Sequence, residues 1–284
     1  MALTIYTAVV IYNSSLNESE TCRNLISIKN HNIKIIIFDN SDIVNNNKDM
    51  AIQNNWIYLT EGKNVGLSRA YNIILDYLKQ TNVSNNDLIV WFDDDSKVNQ
   101  EYFDCLEEAA TNSDAKIFAP MIQGQDGKFW SPNYARFFKN KQLKSVTEAI
   151  PDSKFNAINS CTAVKLSVYD EFRYDERIFL DQVDHSFFEQ QREKRAQFKK
   201  LDVIIQHNFS TKSKMNSIDS LKKRYSIMIP DFLTFASRKK TSLFLGYIKV
   251  LAWGVKESIK YKNINFFFWT IGKIFSWILT ERGR

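Results

Sequence analysis

Three adjacent carboxylates, Asp93, Asp94 and Asp95, follow the short apolar run Leu88-Ile89-Val90 almost directly. This order predicts a buried strand that ends in a polar loop. Adjacent carboxylates repel one another, and they are tolerated where water, backbone N–H groups or a cation compensates their charge. A strand end that opens into a crevice of an α/β sheet is such a place. Two interpretations follow: a site for a divalent metal and a diphosphate, or a solvated acidic turn.

The segments that must position this loop alternate between strands and helices. Strands are predicted at Leu3–Ile11, Ile33–Phe38, Trp56–Leu59 and Leu88–Phe92, and helices at Glu18–Ile28 and from an N-cap at Ser68 to Leu78. The strands are apolar runs, which is typical of a parallel sheet covered on both faces. We expect every strand to point the same way, so that polar clusters at Asp39, Glu61–Asn64 and Asp93–Asp95 share one rim. This convergence favours the metal–diphosphate interpretation.

The second part of the chain is less regular. Helices are predicted at Gln100–Ala110 and from Asp184 to about Arg195, and strands at Lys116–Pro120, Asn159–Val168 and Leu201–Gln206, the last ending at His207. We therefore expect an α/β fold over residues 1–212, with a mostly parallel central sheet between two layers of helices. Residues 213–284 are predicted to form a separate helical region.

The bulk composition bounds the class of protein. Of 284 residues, 44% are hydrophobic, which is enough for a large domain with a real core. Neither G-x-x-x-x-G-K-[ST] nor G-x-G-x-x-G occurs, which argues against the usual P-loop and dinucleotide folds. The cysteines, Cys22, Cys105 and Cys161, are widely spaced, which fits a reducing compartment and offers no zinc spacing. We expect no signal peptide, since the N-terminus lacks a basic n-region with an apolar run, and no membrane-spanning helix, since no stretch of 18 apolar residues occurs.

The charge of the chain is unevenly divided. Residues 212–284 carry 15 lysines and arginines against 4 acidic residues, whereas residues 1–211 carry 23 against 28. In the C-terminal region the apolar residues, many of them aromatic, follow one predicted helical face and the lysines another. Such a segment favours contact with an anionic membrane surface. The alternatives are a helical cap on the rest of the chain or a homodimer contact; no nucleic acid is expected, because the aromatics do not alternate with the cations.

Five segments carry a resemblance to a known family. They are Val9-Val10-Ile11-Tyr12-Asn13, Phe38-Asp39-Asn40-Ser41, Asn64-Val65-Gly66-Leu67-Ser68-Arg69-Ala70-Tyr71-Asn72, Phe92-Asp93-Asp94-Asp95-Ser96 and Phe179-Leu180-Asp181-Gln182-Val183-Asp184, followed by His207. In this order they resemble the family 2 glycosyltransferases with the GT-A fold, and especially their bacterial rhamnosyltransferase-like branch. One departure is the pair Ser160-Cys161, where the family often has Ser-Gly.

The resemblance implies a set of binding residues. The nucleotide-sugar would contact Tyr12, Asn13, Asp39, Asn64, Gly66, Arg69, Asp93 and Asp94, and the metal would be held by Asp95, Asp93 and His207. Within this set, Asp39 is implied to contact the nucleobase, and Asp95 is the metal-binding aspartate of the D-x-D signature. The implied cofactor is Mn²⁺ or Mg²⁺, for which one or two carboxylates suffice when phosphates supply further oxygens.

The general base is implied to lie in the segment that ends at Asp184. An inverting transfer needs one base, which removes the proton of the acceptor hydroxyl. Asp184 opens a predicted helix, whose N-terminal dipole favours an ionised carboxylate. Asp181 is the competing candidate, and a plain N-cap is the structural alternative for Asp184.

The resemblance thus implies a metal-dependent inverting glycosyltransferase. It would move a sugar, L-rhamnose from a dTDP-sugar or a hexose from a UDP-sugar, to a hydroxyl of a glycan or lipid-linked acceptor in capsule or cell-wall polysaccharide synthesis. Its expected place is cytoplasmic, peripheral on the inner face of the cell membrane. A sugar-1-phosphate nucleotidyltransferase would want a glycine- and arginine-rich loop where this chain has Tyr12-Asn13-Ser14-Ser15-Leu16. A non-catalytic nucleotide-sugar-binding protein would not need Asp95 and Asp184 together.

Overall fold

The structure is a computed structural model that describes residues 3–136, 139–207 and 217–282. The chain divides into two compact units. The N-terminal unit comprises Met1–Tyr174 and Asp184–Phe209, and the C-terminal unit comprises Asp175–Val183 and Ser210–Arg284. The expected domain boundary between residues 212 and 213 lies outside the described residues, so the division into 1–212 and 213–284 stays a prediction.

Strands and helices alternate through the first part of the chain, as the apolar runs predict. In chain order the elements up to the end of the sheet are β1 (Ile5–Ile11), α1 (Glu20–Ile26), β2 (Ile33–Asp39), α2 (Asn47–Gln53), β3 (Ile57–Thr60), α3 (Leu67–Gln80), β4 (Leu88–Phe92), α4 (Gln100–Asn112), β5 (Ile117–Gly124), β6 (Phe129–Ser131), β7 (Asn133–Tyr134), β8 (Lys141–Gln142), β9 (Phe155–Asn156), β10 (Thr162–Lys165), α5 (Val183–Glu193) and β11 (Phe198–His207).

Among the described residues, the main sheet has eight strands in the order β11-β5-β10-β4-β1-β2-β3, with β6 paired to β5. The pairs β1–β2, β1–β4, β2–β3 and β5–β11 are parallel, so the predicted mostly parallel sheet is confirmed. The expectation that the four strands before Asp93 point the same way is confirmed for β1 to β4. Two later strands depart from it. β10 runs antiparallel to both β4 and β5, and β6 runs antiparallel to β5. β9, the strand before β10 in the chain, belongs to a separate sheet with β7 and β8, and no helix connects it to β10. The chain therefore does not enter β10 by a parallel crossover, and the rule that makes such crossovers right-handed does not apply to this strand.

Burial accounts for the central strands. All five residues of β4 are buried, and the ring of Trp91 lies 4.1 Å from that of Tyr71 on α3, centroid to centroid. Helix α3 begins after Gly66, whose φ of +83° is in the left-handed region that favours glycine. Ser68 is therefore not the predicted N-cap; it is buried inside the first turn. A helix that the sequence did not predict, α2, begins after Asn46.

The C-terminal unit is helical, with α6 (Ile218–Ala236), α7 (Lys240–Lys260) and α8 (Ile264–Arg282). Two glycines allow α7 to pack closely on its neighbours. A Cβ at Gly246 would lie 3.0 Å from Ala236 Cβ, and one at Gly254 would lie 3.2 Å from the side chains of Phe267 and Thr270. None of the helices that the structure describes is long and apolar enough to cross a membrane.

Candidate active site at the carboxyl rim of the sheet

The loop that follows β4 is fixed by the first turn of α1. Thr21 Oγ1 donates to the backbone oxygen of Asp93 (2.6 Å), and Ser19 Oγ donates to that of Asp94 (2.8 Å). Ser96 N donates in turn to Thr21 Oγ1 (2.9 Å). Ser19 is also the N-cap of α1, because its hydroxyl accepts from the backbone N–H of Cys22. Side chains of α1 thus satisfy the polar backbone of this loop.

The three aspartates are not equivalent. Asp94 Oδ2 accepts a hydrogen bond from Ser14 Oγ (3.1 Å), in the loop after β1. Asp93 and Asp95 instead converge with His207, at the end of β11, so that one ligand atom of each lies within 4.8 Å of the other two. His207 Nε2 lies 3.3 Å from Asp95 Oδ1. Two carboxylates and one imidazole therefore form one cluster of possible metal ligands, and the Asp94 carboxylate is not part of it.

Burial perturbs the pKa values in this group, and neighbouring negative charge adds to the effect at the two aspartates. Burial, with smaller contributions from Asp95, Asp94 and Asp184, raises the pKa of Asp93 to about 7. The Asp93 side chain keeps some accessible surface. Burial and then Asp94 raise the pKa of Asp95 to about 6, and burial lowers the pKa of His207 to about 4. The imidazole is therefore neutral at pH 7, which is the form that binds metals.

These residues fit a divalent cation. Asp95 Oδ1 is buried, and among the described residues it has no hydrogen-bond partner despite its approach to His207. Such a buried acceptor is costly unless a donor or a cation satisfies it. Ser96 Oγ lies 3.5 Å from His207 Nδ1, so the tautomer with a proton on Nδ1 leaves the Nε2 lone pair available to a metal. Carboxylates with one imidazole suit Mn²⁺, and the oxygen ligands also suit Mg²⁺.

A residue that the sequence gave no role, two positions before β10, supports the site. Ser160 Oγ accepts from Asp93 N (3.3 Å) and lies 2.8 Å from Ser96 Oγ. Because β10 is reversed, its first residues lie at the rim where β4 ends. The next residue, Cys161, has a φ of +64°, a conformation in which glycine is favoured. The positive φ accounts for the glycine that the family often has at this position. The replacement of that glycine by Cys161 is the one sequence signal that drew attention to the pair Ser160-Cys161.

Asp39, predicted to contact the nucleobase, lies at the end of β2 and is buried. Its Oδ1 accepts from Ser41 N (3.1 Å), and its Oδ2 accepts from Asn47 Nδ2 and from Tyr58 OH (both 3.0 Å). Burial alone would raise the pKa of Asp39, but the hydrogen bonds from Ser41 and Asn47 outweigh it and lower the pKa. The carboxylate thus organises α2 and β3 around the rim, and its contact with a base stays a prediction.

The loops after β1 and β2 are tied together through Asp42. Tyr12 OH donates to Asp42 Oδ2 (3.2 Å), and Asp42 N donates to Asn13 Oδ1 (3.0 Å). The loop after β3 joins them, because Asn64 N donates to Asp42 Oδ1 (2.9 Å). Tyr12 remains half exposed. The predicted residues Tyr12, Asn13 and Asn64 therefore meet, through an aspartate to which the sequence gave no role.

The remaining predicted binding residues lie between β3 and α3. Asn64 Oδ1 accepts from Gly66 N and from Asn40 Nδ2 (both 3.0 Å), which shapes the turn into the helix. Arg69 lies in the first turn of α3, with a guanidinium nitrogen 3.5 Å from Glu61 Oε2. The structure gives Arg69 a carboxylate neighbour, and its contact with a nucleotide stays a prediction.

The two candidate bases lie in different surroundings. Asp181, in the C-terminal unit, forms a two-pronged ion pair with Arg224 of α6. Its backbone N–H and those of Phe179 and Leu180 donate to the Asp231 carboxylate. Asp184, in the N-terminal unit, lies one residue inside α5 and is therefore not its N-cap.

The Asp184 carboxylate belongs to the same electrostatic group as the rim. Its Oδ1 accepts from His185 N (2.7 Å). Its charge is among those that raise the pKa of Asp93, and it acts likewise on the buried hydroxyls of Tyr71 and Tyr174, whose pKa values are raised mainly by burial. Tyr174 itself is held by two hydrogen bonds with Asn72, the last residue of the third resemblance segment.

Comparison with known proteins gives a consistent result. Residues 7–173 match the family model "Glycosyl transferase family 2". Over 184 residues the chain is 27% identical to the dTDP-rhamnosyl transferase RfbF of Shigella flexneri, a match that covers 63% of this chain and 60% of that protein. The chain thus spans less than two thirds of the length of this curated relative.

Two solved structures are similar in fold. S. aureus TarS 1–349 in complex with UDP-GlcNAc superposes with a TM-score of 0.54 at 11% identity, covering 92% of this chain and 76% of that one. Mannosyltransferase PcManGT from Pyrobaculum calidifontis, in complex with GDP-Man and Mn²⁺, also gives 0.54, at 10% identity, covering 97% and 84%. At these identities the likeness establishes the fold alone, which is the predicted GT-A fold.

Proposed function

The chain belongs to glycosyl transferase family 2, and on that premise we propose that it is a metal-dependent, inverting glycosyltransferase. It transfers a sugar from a nucleoside-diphosphate donor to an acceptor hydroxyl. The observation that carries the proposal is the convergence of Asp93, Asp95 and His207 at the rim, within electrostatic reach of Asp184. A solvated acidic turn needs neither the buried histidine nor the fourth carboxylate.

The donor would bind along the rim. Asp95, Asp93 and His207 would hold Mn²⁺ or Mg²⁺, and the ion when bound would offset the negative charge of the diphosphate. The half-exposed ring of Tyr12 would lie against a base, and Asn13 and Asn64 hold the loops around it. Gly66 has no side chain and would allow the backbone to approach the nucleotide closely.

Asp184 is the proposed general base. Its carboxylate takes the proton of the acceptor hydroxyl while the hydroxyl oxygen forms a bond to the anomeric carbon on one face of the sugar. The bond from that carbon to the diphosphate oxygen breaks on the other face, and its electron pair leaves with the nucleoside diphosphate. Asp181 is the weaker candidate, because its carboxylate is already paired with Arg224.

The name of the curated relative supports a dTDP-rhamnose donor, while the TarS complex supports a UDP-sugar. The proposed acceptor is a glycan or lipid-linked glycan of cell-surface polysaccharide synthesis, at the cytoplasmic face of the membrane. A panel of dTDP-, UDP- and GDP-sugars in thermal-shift measurements, with and without Mn²⁺, tests the donor. We expect one nucleotide class to raise the melting temperature only when Mn²⁺ is present. A chain that none of them stabilises would contradict the proposal.

The base is tested by Asp184→Asn, with Asp181→Asn as the matched control. With the stabilising donor, we expect Asp184→Asn to lower turnover, measured as donor hydrolysis or transfer, by roughly 10² to 10⁴-fold. Donor binding by thermal shift should stay unchanged in that variant. Asp181→Asn should lower the melting temperature, because it weakens the ion pair with Arg224, and should leave the turnover of the folded protein close to that of the unaltered chain. The opposite pattern would assign the base to Asp181.

A further inference from the structure

Two helices of the C-terminal unit leave large apolar side chains in solvent. On α7 these are Phe244, Ile248, Val255 and Ile259, and on α8 they are Ile264, Phe268, Phe275 and Leu279; all are between 46% and 72% exposed. We call them the α7 stripe and the α8 stripe. In both, successive members are four, seven and four residues apart, which places each set on one face of its helix.

Each stripe is separate from the face that packs in the core. The buried face of α7 contains Gly246, Val250 and Gly254, and that of α8 contains Thr270 and Ile274. These positions point away from the stripes at 100° per residue. The side chains of the two stripes therefore do not contribute to the buried core of the C-terminal unit. Exposed apolar sets of this size on a folded chain mark an interaction surface.

Charge decides which partner this surface fits. Residues 217–282 carry 12 lysines and arginines against 4 acidic residues. Lys240 and Lys262, both exposed, stand at the two ends of the α7 stripe. A second copy would bring two strongly basic units together, whereas an anionic bilayer offers a hydrocarbon layer beneath negative headgroups. Since none of the described helices can span a membrane, the helices would lie along the surface.

We propose that the α7 and α8 stripes are the face by which this chain docks on an anionic lipid bilayer. The apolar side chains enter the boundary between headgroups and acyl chains, and the lysines remain among the phosphates. This inference rests on the proposed function, in which the chain works at a membrane, and it identifies the surface that would contact the lipid. Vesicle binding does not require catalysis, so a failure to bind vesicles and a failure to turn over the donor can be distinguished.

The test is flotation of the full chain with vesicles. We expect binding to phosphatidylcholine vesicles that also contain phosphatidylglycerol. Ile248→Ser with Ile259→Ser should weaken it by about tenfold or more, from the apolar area that no longer enters the bilayer. The matched control is Ile26→Ser with Ile52→Ser on the N-terminal unit. The four side chains have similar exposure, 46% and 72% against 60% and 58%. The control should bind as the unaltered chain does, and equal loss in both pairs would overturn the assignment.

Two further measurements separate the contribution of charge to vesicle binding from that of apolar contact, and membrane binding from self-association. Lys240→Gln with Lys262→Gln should weaken binding to the anionic vesicles by about tenfold and leave binding to pure phosphatidylcholine unchanged. Sedimentation velocity over a range of concentrations reports the oligomeric state. A dimer that dissociates in the Ile248/Ile259 double variant, together with unchanged vesicle binding, would assign the stripes to a second copy and refute the proposal.

Discussion

Replacement of Asp39 by asparagine tests how the rim is built. Three donors, Ser41 N, Asn47 Nδ2 and Tyr58 OH, converge on the two carboxylate oxygens. Asparagine has the same shape but only one acceptor oxygen. One donor must therefore face an N–H₂ group, and the hydrogen bonds that remain lose the assistance of the negative charge.

The magnitude follows from these three bonds. A hydrogen bond to a charged group contributes about 1.5 to 3 kcal/mol, a neutral one about 1 kcal/mol, and a buried donor left unsatisfied costs about 1 to 3 kcal/mol. We expect Asp39→Asn to lower the free energy of unfolding by about 2 to 4 kcal/mol at pH 7. The matched control is Asp49→Asn, an exposed carboxylate in the first turn of α2, for which we expect less than about 0.5 kcal/mol.

The effect should depend on pH in a defined direction. The pKa of Asp39 is lowered in the folded state, so its contribution is fully present above its unfolded pKa of about 3.9. It is lost as the pH falls through the folded-state pKa. The stability gap between the unaltered chain and Asp39→Asn should therefore be constant near neutrality and should narrow below about pH 4.

The assay is urea unfolding followed by circular dichroism, at pH 7 and at descending pH down to the limit at which the unaltered chain stays folded. Asp39→Asn and Asp49→Asn are compared at each pH. The reasoning is refuted if the two variants are equally stable at pH 7. It is also refuted if the gap for Asp39→Asn stays the same in acid, because the loss would then not come from the ionised carboxylate.

Two further predictions address the metal and the loop before α3. Asp95→Asn should remove the Mn²⁺-dependent part of the donor-induced thermal shift, whereas Asp94→Asn, whose carboxylate faces the loop after β1, should keep most of it; equal losses would argue against separate roles. Gly66→Ala should lower the free energy of unfolding by about 1 to 2 kcal/mol, because a Cβ is disfavoured at its φ of +83°. Gly272→Ala in α8, where a Cβ meets open space, should leave thermal stability unchanged or raise it; a stable Gly66→Ala variant would contradict the strain argument.

The sequence predicted the first four strands of the sheet well. The bounds of β4 agree with the predicted Leu88–Phe92, and β1 and β2 agree within two residues. These strands are continuous apolar runs because both faces of the sheet are covered, which leaves a strong local signal. The start of α3 was misplaced, since a glycine and a serine two residues apart are both acceptable caps and only backbone geometry distinguishes them.

The residues of the candidate site were predicted through the order of their segments, and the structure brings some of them together. The approach of Ser96 and His207, which are 111 residues apart, illustrates the limit of local sequence patterns. The roles of Asn47 and Tyr58 had no local signal, and at Ser160-Cys161 the sequence marked only the missing glycine, because a hydroxyl or amide acquires its function from the partner that folding supplies. The pairing of Asp181 with Arg224 was equally invisible.

By itself, the sequence determined that an α/β sheet ends in three polar clusters and that a basic helical region follows. Both conclusions rest on composition and periodicity, which act within a few residues of the chain. Only the tertiary structure decided the direction of β10 and the separation of Asp94 from Asp93 and Asp95. It also decided that three hydrogen-bond donors occupy the carboxylate of Asp39. The same holds for the exposure of the α7 and α8 stripes. Each of these depends on which distant groups satisfy a polar atom or cover an apolar face, and several arrangements satisfy the same local pattern.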